Sequence, residues 1–96
     1  MKDKRAQAVA TRQIDNPRVI VTEWRFAAGA ETGWHRHEYD YVVVPGMDGQ
    51  LLLQSADGER IADLRAGQAY FREAGVEHNV INANDYEFFF IETELR

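Results

Sequence analysis

Nowhere in this 96-residue chain do apolar residues recur at helical spacing; short two-residue alternations separated by turn residues run through it instead. The first is the clearest. Ile20, Thr22, Trp24 and Phe26 alternate with Val19, Val21, Glu23 and Arg25, the pattern of a strand with one face turned to a core. Turns are marked by Asp15-Asn16-Pro17, Pro45-Gly46-Met47-Asp48-Gly49, Ala56-Asp57-Gly58-Glu59 and Ala66-Gly67. Between them the pattern predicts strands over residues 18–27, around 35–37, and over 40–44, 50–54, 60–64, 69–72, 77–82 and 86–93. At least eight short strands with regular turns read as an all-β sandwich or barrel. Hydrophobic content of 45% is ample for one small core and leaves no room for a second domain. Residues 1–13 are polar with interspersed alanines and read as a flexible N-terminal arm or an edge strand; residues 14–96 read as the barrel.

Composition narrows the functional classes. A net charge of −5 with no basic stripe argues against nucleic acid. No apolar run approaches the length of a membrane span, and no apolar segment follows the charged Met1-Lys2-Asp3-Lys4-Arg5 as a secretory signal would require. The absence of cysteine fits the cytoplasm and excludes thiolate ligands and a thiol nucleophile.

The three histidines are His35, His37 and His78. Residues i and i+2 of a strand share a face, so the rings of His35 and His37 can converge, and a second strand folded over the first could bring His78 to them. Imidazoles joined by a carboxylate are a recurrent shell for zinc, iron and other transition metals. An exposed polar strand face would also account for His-x-His taken alone.

The glycines around the histidines add specificity. Gly29, His35, His37 and Gly49 in one segment, and Gly67, Gly75, His78 and Asn82 in another, fall at the intervals of the two cupin motifs, G(X)5HXH(X)3,4E(X)6G and G(X)5PXG(X)2H(X)3N. Across most of its length the chain thus resembles the cupin superfamily, as a small single-domain member. The resemblance implies a double-stranded β-helix of jelly-roll type holding one divalent transition metal, iron, manganese, zinc or nickel, on His35, His37 and His78. Two positions depart from the motifs. The first-motif glutamate is missing: Tyr41 and Val42 stand at its two allowed positions, with Asp40 one residue early and Glu38 beside His37. Asp40 is the favoured fourth ligand; Tyr41 or water are the alternatives. Glu73 replaces the second-motif proline.

Trp24, Phe26, Tyr70 and Phe71 are expected in the core, Trp34 behind the site, and Arg25 and Arg72 on a solvated outer face rather than in the pocket. Phe88-Phe89-Phe90-Ile91 is apolar on both faces, and a homodimer would cover the outer one. Two functions remain open. The resemblance implies a small-molecule enzyme of the dioxygenase, isomerase or decarboxylase kind, for which Tyr41 and Glu73 are candidate acid–base groups by proximity. The alternative is a binding module that holds metal and a small ligand without turnover.

Overall fold

Alternating sequence becomes a sandwich only when strands find partners, and here they do so in two antiparallel sheets. The computed structural model describes residues 4–96; the first three residues of the N-terminal arm lie outside it. The described residues form nine strands and no helix: β1 (Val9–Asp15), β2 (Val19–Phe26), β3 (His35–Arg36), β4 (Asp40–Pro45), β5 (Gly49–Ser55), β6 (Gly58–Leu64), β7 (Tyr70–Arg72), β8 (Glu77–Asn82) and β9 (Phe88–Leu95). One sheet runs β1-β2-β9-β4-β7 and the other β3-β8-β5-β6. This is the jelly-roll arrangement expected of an all-β chain with these turns.

The N-terminal segment does more than trail. β1 pairs with β2 along its length as an edge strand, with a register shift between Arg12 and Ile14. Before it, Ala8 donates its N–H to the Glu31 carbonyl at 2.8 Å, and Glu31 donates back to Ala6 at 2.9 Å. Glu31 also bridges to Ile81 on β8, so this segment links the edges of both sheets.

The two-residue pleat decides which side chains meet. On β2, Ile20, Thr22 and Phe26 are buried; on β9, Phe88, Phe90 and Glu92; on β4, Tyr41, Val43 and Pro45. Phe26 and Phe90 meet at 5.5 Å between ring centroids, and Leu51, Leu64 and Val80 close the core from the opposite sheet. Two aromatic expectations fail. Phe71 is 49% exposed because its register partner Val42 faces outward, and Trp34 is 59% exposed because it precedes the two-residue β3 in a turn.

Asn82 joins the sheets at the floor of the sandwich. Only 1% exposed, it donates from Nδ2 to the carbonyls of Tyr86 (2.8 Å), Ala27 (3.2 Å) and Phe26 (3.3 Å). Its Oδ1 accepts from the backbone N–H of Asn84 and from Asn84 Nδ2, which fixes the turn into β9. Gly49, the closing glycine of the first motif, is needed for close approach: a Cβ there would stand 2.7 Å from the Phe88 ring and 2.8 Å from Asn84 Nδ2. Removing the Asn82 amide strands the buried Phe26 carbonyl and takes a partner from the Ala27 and Tyr86 carbonyls and the Asn84 N–H. Asn82→Ala should therefore lose about 2–4 kcal/mol in urea unfolding, against less than about 0.5 kcal/mol for an exposed control such as Gln68→Ala.

Candidate metal centre

β3 is two residues long, yet it sets the site. Its pairing with β8 places His35 directly opposite His78, and antiparallel partners project to the same face. His37, just beyond β3, is tied on both backbone sides: its N–H donates to Val76 at 2.9 Å, and its carbonyl accepts from Gly75 at 2.8 Å. Gly75 reaches that position at φ +97°, a conformation L side chains rarely adopt. The motif glycine thus locks the turn before β8 onto the second histidine.

The three rings converge through their Nε2 atoms, with His35 to His37 at 3.0 Å and His37 to His78 at 3.1 Å. His35 Nδ1 lies 2.9 Å from the Gly33 carbonyl, which can only accept, so Nδ1 carries the proton and Nε2 turns its lone pair inward. Burial pushes His37 down to about 3, with His35 and His78 adding to the effect. His78 is pushed down to about 4, by burial first and then by His35 and Arg72. Where two unprotonated Nε2 atoms face one another at this distance their lone pairs repel, and a shared cation would relieve that repulsion. Two nitrogens each about 2.1 Å from one ion and about 90° apart lie about 3.0 Å from each other, so the donor set fits a transition metal with positions to spare.

The structure separates the remaining candidates. Asp40 is exposed on the outer face of β4 and accepts the Ala74 N–H at 2.8 Å, outside the histidine group, because the strand alternates and it precedes the inward Tyr41. Tyr41 is 3% exposed and lies flat on His37, with ring centroids 3.9 Å apart at 18°. Burial pushes its hydroxyl well above the usual phenol range, so it remains protonated. Glu73 and Glu38 are both exposed and neither lines the cavity.

Two carboxylates absent from the sequence reading stand beside His37, in a group that shares only that residue with the three histidines. Glu92 and Glu94 each place an oxygen within 4.8 Å of a His37 ring nitrogen and of each other. Glu92 is 7% exposed and accepts from Trp24 Nε1 at 3.4 Å; burial, reinforced by Glu94, pushes it up to about 7. A signal was available: the inward parity of Phe88 and Phe90 continues through residues 92 and 94.

The three histidines, Tyr41 and Glu92 line a cavity of about 630 Å³ between the sheets, whereas Glu94 borders a smaller pocket with Ala10, Arg12 and Thr22. Trp24 and Tyr70, expected as plain core, form its wall. Arg72, expected outside, lines it too: it pairs with inward Tyr41, sits over the Tyr70 ring at 4.6 Å, and has no carboxylate within salt-bridge distance among the described residues. Arg25 stays on the outer face with Glu23, Glu87 and the Phe89 ring.

Comparison with known proteins gives consistent matches. A family model of the Cupin domain matches residues 22–93. The chain is 67% identical over 92 residues to the β-alanine degradation protein BauB of Pseudomonas aeruginosa, covering 96% of this chain and 97% of that protein. The crystal structure of a cupin domain from Bordetella pertussis Tohama I superposes with a TM-score of 0.97 at 56% identity, covering 99% of each chain. Oxalate oxidase with the substrate analogue glycolate shares the fold alone: TM-score 0.71, 19% identity, 94% of this chain and 51% of that one.

The buried titratable groups make opposite demands on pH once metal is stripped. His37 and His78 resist protonation in the folded state, whereas the unfolded chain takes up protons near pH 6.5; stability should therefore fall as pH drops from about 6.5 toward 4. Glu92 holds its proton in the folded state to about pH 7 against 4.5 unfolded, so its contribution is present below pH 4.5 and lost as pH rises through 7. Glu92→Gln should accordingly raise the stability of chelator-treated protein by about 1–3 kcal/mol at pH 8, with the gain vanishing toward pH 4.5. Urea unfolding across that range measures both arms.

Proposed function

The chain belongs to the cupin family, and from that premise we propose a metal-dependent enzyme that takes a small carboxylate into the barrel during the breakdown of β-alanine or an acid derived from it. One observation carries the reading: three imidazoles converge on the wall of a cavity that also presents Arg72, a cation with no carboxylate partner among the described residues. The name of the relative that is 67% identical supports the substrate class.

His35, His37 and His78 would hold the ion, which supplies Lewis acidity when bound. Arg72 is placed to pair with a substrate carboxylate, its guanidinium steadied over Tyr70. Tyr41 keeps its proton and can donate a hydrogen bond into the cavity. Glu92, held near neutrality, can give or take a proton there. Trp24, Val43, Leu51 and Phe90 supply apolar wall that limits water. This set suits oxygenase, isomerase or decarboxylase chemistry on a small acid, and a cysteine-free chain fits work in the cytoplasm.

The outer face of the larger sheet supports a homodimer. Ile14, Val21, Val42 and Phe71 lie in one cross-strand row, with Ile91 and Val44 in the next. A second copy covering this face would remove Phe71 and its neighbours from water.

The test is elemental analysis of untagged protein, then thermal shift, oxygen uptake and product assays with β-alanine and three-carbon acids. Metal near one per chain, lost in His78→Ala, with a carboxylate-dependent shift that falls at least tenfold in apparent affinity in Arg72→Ala, is the expected outcome. Shifts without product across the panel would instead make the protein a binding module. Sedimentation should give a dimer that Val42→Lys converts to monomer; a native monomer at micromolar concentration would remove the dimer.

A further inference from the structure

His78 and Val80 line the cavity, so the pleat of β8 turns Asn79 to the other side of its sheet. A strand residue facing away from the core ordinarily meets water, yet Asn79 is only 2% exposed. The Gly33 N–H can only donate, so the Asn79 amide oxygen faces it, at 2.9 Å. The amide nitrogen then donates to Glu31 Oε1 at 2.8 Å and to Gln54 Oε1 at 2.9 Å. Turned over, the amide would set its nitrogen against the Gly33 N–H and its oxygen against the Glu31 carboxylate, so its orientation is fixed. The Gly33 N–H shares a peptide plane with the Thr32 carbonyl, which accepts from Gln7 Nε2 at 3.0 Å. Strand β8 holds one edge of that plane, and the N-terminal segment holds the other.

We propose that Asn79 is a positioning residue of the metal centre: by fixing the Gly33 peptide it keeps the His35 proton on Nδ1 and aims Nε2 at the ion, with Glu31 holding the amide in the orientation this requires. This rests on the metal reading above. The path from amide to ring is short. Gly33 leaves the fixed plane at φ +85°, and its carbonyl stands 2.9 Å from His35 Nδ1. The Thr32 hydroxyl donates to the same carbonyl at 2.9 Å and accepts from the Val80 N–H at 3.2 Å, which ties this turn to β8 a second time. A histidine that ligates through Nε2 needs its other nitrogen engaged, because a ring released from that carbonyl can move its proton to Nε2 and close the lone pair. Asn79 does not line the cavity, so it acts on the site only through Gly33.

Two readouts on chelator-treated protein test this without any assay of activity: nitrogen-15 NMR of the imidazoles, which reports the ring nitrogen that carries the proton, and titration with cobalt(II), whose visible absorption reports binding. In the unaltered protein the His35 proton should sit on Nδ1 and cobalt should bind at about one equivalent. Asn79→Asp keeps an oxygen for Gly33 but sets a carboxylate against Glu31. It should weaken cobalt binding about tenfold and mix the two His35 tautomers, while the circular dichroism stays native. Adding Glu31→Gln to Asn79→Asp reverses the polarity of that hydrogen bond and should recover both readings. Glu31→Ala, at a partly exposed side chain, leaves the amide one acceptor short and should move both readings in the same direction by a smaller amount. Asn79→Asp with unaltered cobalt affinity and the His35 proton still on Nδ1 would overturn the inference. So would a loss of affinity that the double variant fails to recover. If Asn79→Asp does not fold, Glu31→Ala with both readings unaltered overturns it instead. No cobalt binding by the unaltered protein would overturn the metal reading, whereas the His35 proton decides separately whether Asn79 orients the ring.

Discussion

Strand β9 is hydrogen-bonded along almost its whole length to β2 on one side and to β4 on the other, and the rest of the molecule is organised by that double pairing. It fixes the pleat of the central sheet. Phe88 and Phe90 are thereby committed to the core, Glu92 to the cavity, and Phe89 and Ile91 to the outer face. A slip of one residue would exchange these sets, turning Glu92 outward and Phe89 and Ile91 inward. The buried amide of Asn82 guards against such a slip by fixing the turn that delivers the chain to Phe88.

That arrangement places unlike groups in one low-dielectric space. Three imidazole Nε2 atoms converge, two carboxylates stand beside His37, and Tyr41 and Tyr70 are kept protonated by burial. Without a cation, burial favours the neutral rings of His37 and His78 and the protonated form of Glu92, the states that avoid buried charge. A divalent ion would change that balance at once, because it attracts both the lone pairs and the carboxylates. The same cavity carries an arginine and apolar walls, which is the chemistry of a pocket for a small acid.

The stacking of Tyr41 on His37 links packing to chemistry. Tyr41 fills the position at which the family carries an acid and lies flat on the His37 ring, covering one of its faces.

The sequence by itself determined the class of fold and the three nitrogen donors. Alternation with a period of two is a local property, and so is the shared face of His35 and His37; glycines at positive φ or beneath an aromatic ring leave their mark at fixed intervals because only that residue fits. Strand ends erred by a residue or two; at β9 the strand starts at Phe88 and runs to Leu95, because the Asn82 amide takes the Tyr86 carbonyl out of pairing. Only the tertiary structure decided which face of β4 and β7 met the cavity, and so that Asp40 and Glu73 lie outside it while Arg72 lies within. It alone brought Glu92 and Glu94 to His37 from a strand more than fifty residues further along the chain. The reason is physical: spacing along a strand constrains neighbours on that strand, whereas neighbours across a sheet are set by register, which arises from the packing of the whole core.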